Sequence, residues 1–278
     1  MLSTEPIKAL HAESPLRIWS LIVTIFGDVV MQQGTKTAPP PIWSGAIIEL
    51  LQLFGIDAGI VRTSLSRLVA NDILIRIKSG RNTYYELAAP SRTAFSTAAD
   101  MIYGRKVKDP KSDLFMVSID RCSNRAKSRD LLIARGVRFI GPTVGMVIGN
   151  LDNSELQWPA GSLLSIPQPN PDLFLTAHDA WNLTDLNRSY RRFLHVFSSI
   201  KTTTYLEPQE AVTTRILLVH QFRRLKLRDP ELSNEALPKG WLGNEARQHF
   251  DTQLAALQEK SEQWIGETGF LNGKANNL

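Results

Sequence analysis

Arg62, Thr63, Ser66 and Arg67 fall at helical spacing and, with Gly59, make one polar face of an amphipathic stretch. Guanidinium forks and small hydroxyls on a helix face are the groups that meet base edges and phosphates in the major groove of DNA. Lys78, Arg81 and Asn82 follow at the tip of a Gly-containing loop, placed to hold an adjacent phosphate or enter a minor groove. Further on, His220, Arg223 and Arg224 share a helix face at spacings of three and four. Such a group suits an anionic or thioester ligand, with Tyr190, Arg191 and Phe193 contributing from a neighbouring helix. The plainer alternatives are a protein-binding face for the first set, and a helix-end hydrogen bond plus solvated arginines for the second.

Charge distribution agrees with a nucleic-acid partner. The 278 residues carry a net charge of +5. Gly59 to Asn82 holds five basic residues against one acid, and Arg105 to Arg138 holds ten against four. The rest of the chain is therefore slightly acidic, so the basic charge is concentrated in two blocks. Apolar content of 43% with 21% charged residues is ordinary for a globular protein and excludes a mainly disordered or fibrous chain. Cys122 is the one cysteine, so no intramolecular disulfide and no paired-cysteine zinc site can form. Ile18 to Gly27 is the longest apolar run, too short to span a bilayer and flanked by Arg17 and Asp28. The residues before it do not make a signal peptide. A cytoplasmic protein without a membrane partner is expected.

The elements that position these residues can be read from periodicity and punctuation. Pro15 opens a helix with Leu16, Trp19, Ile22, Val23 and Phe26 on its apolar side, and Gly34 to Pro41 is a loop bordering a short strand. Ile42 to Phe54 reads as a second helix stopped by Gly55. Asp57 caps a third, Ala58 to about Asn71, whose buried stripe is Val61, Leu65, Leu68 and Val69. Ile73 to Ile77 and Thr83 to Leu87 are two strands around Lys78 to Asn82. Helix, helix, short turn, helix and hairpin is the winged helix-turn-helix order. Asp100 to Ser112 reads as a linker. Strand Leu114–Ile119, helix Arg121–Arg135 and strands Val137–Ile140 and Thr143–Ile148 then suggest half of a ferredoxin-like sandwich. Ser162–Ile166 is a further strand, and a Pro-rich stretch ends at Pro171. From Asp179 the chain reads as helical, with cores around Leu183, Leu186, Tyr190, Phe193 and Phe197, around Leu217, Leu218, Phe222 and Leu225, and around Phe250, Leu254, Leu257 and Trp264. The expected class is α+β: a winged-helix domain at 15–100, a central ferredoxin-like domain at 112–170 and a helical effector-binding domain at 178–265. There is no internal repeat.

Several stretches resemble one family. Trp19-Ser-Leu-Ile-Val-Thr-Ile-Phe-Gly-Asp28, Val61-Arg-Thr-Ser-Leu-Ser-Arg-Leu68 and Gly80-Arg-Asn-Thr-Tyr-Tyr-Glu-Leu87 are similar to the N-terminal part of the PaaX family, repressors of bacterial phenylacetic acid degradation operons. Leu186 to Phe197 resembles its Tyr-Arg-x-Phe-rich helix. Leu217 to Arg224, Arg228-Asp-Pro-Glu-Leu232 and Leu237-Pro-Lys-Gly-Trp241 resemble its closing signature. The likeness spans about residues 15–265. It implies a winged helix, a central domain like the small CRISPR spacer-acquisition nuclease, and a helical effector domain. It also implies a homodimer on an inverted-repeat operator of double-stranded DNA, released by a CoA thioester such as phenylacetyl-CoA, with no cofactor. Glu86, Gln221 and the lack of a central-strand tryptophan depart from its pattern.

An enzyme is the competing class. Asp120 ends the first central strand, where the resembling nuclease carries a metal-binding Asp, but one carboxylate followed by Arg121 and Arg125 is a poor metal site. Capping of the next helix is the expected role for Asp120. Gly269 to Lys274 lacks P-loop spacing, no nucleophile elbow occurs, and His178-Asp179 has no nucleophile beside it. Cys122, read as sitting at a helix start beside Arg121 and Arg125, is a candidate redox sensor. No catalytic or metal residues are expected.

Overall fold

The computed structural model describes residues 17–30, 40–105, 113–149, 158–198 and 206–270. The molecule is α+β, with helices and two small antiparallel sheets. It divides into two compact units: Met1–Arg105 with Arg191–Leu227 and Asn244–Leu278, and Lys106–Tyr190 with Arg228–Gly243. Among the described residues no helix is long and apolar enough to cross a membrane.

In the first unit, α1 (Ile18–Ile25) runs into one π-helical turn, Phe26–Val30. Its buried side is Leu21, Ile22, Thr24, Ile25 and Phe26, whereas Trp19, expected in the core, is 46% exposed. Leu16 and the proposed helix opening at Pro15 lie outside the described residues, as does most of the Gly34–Pro41 loop. A short strand does border that loop. It is β1 (Ile42–Trp43), so the second helix, α2 (Ser44–Gln52), starts later than periodicity suggests. Pairing decides this: Ile42 and Trp43 sit opposite Tyr85 and Tyr84, and the Ile42 side chain is wholly buried. Gly55 takes φ +75°, the left-handed conformation that lets the chain turn out of α2.

Asp57 accepts a hydrogen bond from the Gly59 N–H at 2.6 Å and starts α3 (Ala58–Ala70), which buries Val61, Leu65 and Leu68. Strands β2 (Leu74–Ser79) and β3 (Asn82–Leu87) pair in register from Leu74–Leu87 to Ser79–Asn82, leaving Gly80 and Arg81 as a two-residue turn. Gly80, at φ +57°, supplies the positive φ that such turns need. The sheet order is β1-β3-β2.

Part of the expected linker is helical. Chain Ala89–Ile102 forms α4, opened by Pro90 in its first turn. Its stripe is only Ala99 and Ile102, too weakly apolar to register as a period. Its end is held by Arg247, whose guanidinium donates to the carbonyls of Ile102 and, at 2.9 Å, Met101. That satisfies carbonyls the helix itself leaves unpaired. The helices α7 (Leu183–Ser198), α8 (Pro208–Lys226) and α9 (Gly243–Glu267) follow, with α7 and α9 each divided between the units. A Glu207–Glu210 capping box starts α8. This helix is buried on all sides, including Thr213, Thr214, Arg215 and His220, rather than along one stripe. Phe222 stacks on Phe250 of α9 with centroids 4.1 Å apart, and Arg247 lies 4.6 Å over the Phe222 ring.

The second unit is a four-stranded antiparallel sheet, order β5-β6-β4-β7, built from β4 (Asp113–Ser118), β5 (Arg138–Phe139), β6 (Val144–Gly149) and β7 (Leu163–Ser165). Between β4 and β5 lies α5 (Arg125–Ala134), shorter than expected, burying Leu132 and Ser128 while Leu131 stays exposed. The core is Phe115, Val117, Ile119, Cys122, Leu132, Val137 and Val147. Gly161 takes φ +89°, and a Cβ there would lie 2.5 Å from the Arg121 carbonyl oxygen. The end of the Pro-rich stretch opens a further helix, α6 (Pro171–Ala180), with Asn170 as its cap. The signature residues after α8 have a packing role in this unit. Tyr190 donates to Asp229 at 2.8 Å and meets Trp241 edge-on. Asn187 bridges the Gly240 carbonyl and the Leu242 N–H.

Candidate nucleic-acid interface and ligand cavity

On α3 the residues Arg62, Thr63, Ser66 and Arg67 are all exposed and share the side opposite the buried stripe. Thr63 donates to the Gly59 carbonyl at 3.0 Å, so its hydroxyl proton is spent on the helix and its oxygen remains an acceptor. At the hairpin, Lys78 and Arg81 are exposed and Asn82 is half-buried. Arg76 stands opposite Tyr85 on the same face of β2 as Lys78 and is also exposed. No carboxylate among the described residues pairs with Arg62, Arg67, Arg76, Lys78 or Arg81. Five exposed, uncompensated cations on one helix and one hairpin form a surface that attracts a polyanion. Glu86, the acid that departs from the pattern, is half-buried and lies 3.5 Å from Arg92, which largely neutralises it.

The second basic block is partly committed to the fold. Arg125 donates through Nε and Nη2 to the Asp120 carbonyl. Arg129 donates to the carbonyls of Gly141 and Pro142 and lies 4.1 Å over the Phe139 ring. Those side chains hold loops, and charge counting cannot see that.

The proposed ligand residues separate. Tyr190 belongs to the second unit and is buried with its hydroxyl on Asp229; the other four belong to the first. Arg191 and Arg224 are exposed. His220 and Arg223 both reach α1. His220 is 1% exposed, with Nδ1 2.8 Å from Thr24 Oγ1. The Thr24 hydroxyl donates to the Ser20 carbonyl at 3.0 Å, so it accepts from His220 Nδ1–H. Burial, then the charges of Arg223 and Arg224, push the His220 pKa down to about 3, leaving a neutral imidazole that cannot serve as a cationic clamp. Arg223 Nη2 donates to the Ser20 carbonyl and hydroxyl, at 3.2 and 2.8 Å, while its buried Nε has no partner. Burial and the neighbouring Arg224 lower the Arg223 pKa.

Arg223 also lines a cavity of about 180 Å³ enclosed by α1 with its π-helical turn, α4 and α8. Beside it is an ion pair that sequence reading missed. Arg215 Nε and Nη2 donate to Asp28 at 2.8 and 3.3 Å, Tyr103 donates to the same carboxylate at 2.6 Å, and Arg215 Nη1 donates to Ser261. Asp28 is wholly buried and Arg215 is 3% exposed. Burial opposes the Arg215 charge, but the Asp28 charge and hydrogen bonds outweigh it and raise the Arg215 pKa. One signal was available in the sequence: a lone arginine inside the apolar run Ala211–Val219.

The enzyme candidates find other uses. Asp120 is exposed; Ser118, Thr143 and Arg125, in that order of effect, hold its carboxyl below its usual range. The residue that caps α5 is Asn124, not Asp120. No cluster of three His, Cys, Asp or Glu able to hold a metal occurs among the described residues. Cys122 is 6% exposed in an apolar core, 3.6 Å from the Ser162 hydroxyl, and α5 begins only at Arg125, so its expected place at a helix start is corrected. His178 donates to the Ala236 carbonyl at 2.7 Å.

Comparison with known proteins agrees with this reading of the residues. The transcriptional repressor PaaX of Escherichia coli (strain K12) is 27% identical over 282 residues, covering 91% of this chain and 87% of that protein. A solved structure of an uncharacterised Mycobacterium tuberculosis protein superposes with a TM-score of 0.54 at 18% identity, covering 88% of this chain and 97% of that one, a likeness of fold. The family described as PaaX-like protein matches residues 17–91, and PaaX-like protein C-terminal domain matches residues 181–267. With α3 and the hairpin inside the first match and α8 with its cavity-lining arginine inside the second, the chain belongs to the PaaX family.

Proposed function

We propose that the chain is a DNA-binding transcriptional repressor, a regulator and not an enzyme, that works in the cytoplasm as a homodimer. The observation that carries this reading is the exposed face of Arg62, Thr63, Ser66 and Arg67 on a capped, well-seated helix, with Lys78 and Arg81 beside it and no carboxylate partner for its cations. The similarity to a repressor over nine-tenths of the chain supports it. Helices α1 to α3 followed by the β2–β3 hairpin read as a winged helix-turn-helix, with β1 as its third strand. The β4-α5-β5-β6 run and its sheet order read as a ferredoxin-like module. Residues 15–100, 112–170 and 178–265 are assigned to DNA binding, central scaffold and effector response.

In the dimer each α3 enters a major groove of an inverted repeat, while Lys78, Arg81 and Asn82 hold backbone or minor groove. The regulated genes are assigned to aromatic-acid catabolism, and the inducer is an aryl-CoA thioester such as phenylacetyl-CoA. Release requires the inducer to favour the arrangement that cannot bind DNA, because equal affinity for both states shifts nothing. The test is fluorescence anisotropy on promoter DNA beside the protein's own gene, across a salt series, with and without phenylacetyl-CoA. Tight, salt-sensitive binding released by the thioester is expected. Binding indifferent to the thioester removes that inducer, and no binding at low salt overturns the repressor reading.

A further inference from the structure

The cavity between α1, α4 and α8 has apolar walls that include Val23, Phe95, Ala98 and Val219. Its volume of about 180 Å³ slightly exceeds the roughly 150 Å³ of an apolar protein cavity that accommodates benzene. It therefore has room for one ring and a short substituent. Gly27 contributes to that room: a Cβ there would meet only Phe95 Cδ1, at 3.9 Å.

Its polar end is uneven in charge. Asp28 has both oxygens engaged by Arg215 and Tyr103, so its charge is already neutralised. His220, behind Thr24, is neutral. Arg223 is the remaining charge on the wall, and no carboxylate among the described residues pairs with it. Its Nε is buried without a hydrogen-bond partner, and an unmet buried donor is a cost that an arriving acceptor removes. We infer that this cavity is an acyl-group subsite: it takes one ring-sized apolar acyl group whose carboxyl or carbonyl oxygen accepts from Arg223 Nε. A free aryl carboxylate and the acyl end of an aryl thioester present the same chemistry there.

The site has a route to the DNA-binding surface. Helix α1 forms one wall and also packs on α3, so a ligand that moves α1 moves the seat of the exposed polar face. The consequence for operator release rests on the repressor reading, whereas binding to the cavity does not.

Isothermal calorimetry on the full chain with phenylacetate, benzoate, phenylacetyl-CoA and benzoyl-CoA tests the assignment. Two variants are compared, Arg223→Met, which removes the donor, and Ala98→Leu, which fills the cavity without touching Arg223. Circular dichroism and a thermal melt check that each folds. Binding of at least one probe by the wild type is expected, weakened tenfold or more by Arg223→Met and abolished by Ala98→Leu. The probe that binds names the source of the acyl group. No binding of any probe by the wild type, or unchanged affinity in a folded Ala98→Leu protein, overturns the subsite. Should Arg223→Met fail to fold, Arg223→Lys replaces it: it keeps the charge, loses the Nε donor and is expected to bind more weakly. Ligand binding without operator binding refutes the repressor reading and leaves the subsite standing.

Discussion

Replacing Lys78 and Arg81 together by Ala tests the DNA interface without touching the core. Both side chains are exposed at the hairpin, neither has a carboxylate partner among the described residues, and truncating them opens no cavity. In a dimer four charges are lost. If each neutralises one phosphate, the slope of log affinity against log salt becomes shallower by about 3 to 4, at roughly 0.9 per phosphate. Over a rise from 50 to 200 mM salt, the ratio of wild-type to variant affinity then shrinks by about 100-fold. The assay is anisotropy titration of a labelled promoter fragment at several salt concentrations, with wild type and variant in parallel. An unchanged slope would refute the argument, because the hairpin would then lie off the backbone whatever its charge. Arg62→Ala and Arg67→Ala should behave differently. Loss of a base contact costs about 1–3 kcal/mol on the operator and little on unrelated DNA. Equal losses on both DNAs would mean that these arginines hold phosphates.

The other predictions concern buried groups and the enzyme alternative. Arg215→Met strands the Asp28 carboxylate in the core and should cost about 3–5 kcal/mol by urea denaturation. With its folded pKa then raised above the unfolded value, Asp28 should make this variant lose stability as pH rises, the reverse of ordinary acid unfolding; a loss below about 1 kcal/mol that is flat with pH refutes it. His220 has the opposite sign, since its folded pKa of about 3 lies below its unfolded value. Its contribution is present above about pH 6.5 and lost as pH falls toward 3, about 3 kcal/mol between pH 7 and 4, and His220→Gln should flatten that part of the profile. Asp120→Asn should leave operator binding unchanged, and neither protein should cut labelled DNA with Mg²⁺; cutting by the wild type that the variant loses would restore the nuclease. Cys122, packed among Phe115, Leu132 and Val147, should react with iodoacetamide only as fast as its unit opens, and rapid labelling of native protein counts against that packing.

The PaaX signature residues turn out to be of two kinds. Those on α3 and at the hairpin are exposed and available to a partner, while Tyr190, Asp229, Gly240 and Trp241 hold one another in the second unit. Motif matching alone treats both kinds as candidate site residues. Burial separates them: a phenol whose proton is given to Asp229 and whose ring meets Trp241 is a packing element.

Helix α3, its cap at Asp57, its apolar stripe and its polar face were legible in the sequence, as was the Gly80 hairpin, because caps, helical periods and turn glycines act within a few residues. Local signals could not place features that depend on distant partners. Ile42 becomes a strand because Tyr85 pairs with it, and α4 is held at its end by Arg247, far along the chain. Trp19 faces outward because the core is closed by Leu21, Ile22 and Ile25 on the other side of α1. His220 is neutral because α1 buries it against Thr24, although its spacing from two arginines suggests a cationic cluster. Arg125 and Arg129 count as DNA-binding charge in a sequence and as loop anchors once the carbonyls of Asp120, Gly141 and Pro142 are in place. The sequence by itself therefore determined the DNA-reading elements. Tertiary packing decided which charges remain free and where a cavity opens, because desolvation and pairing are set by neighbours brought together only when the chain folds.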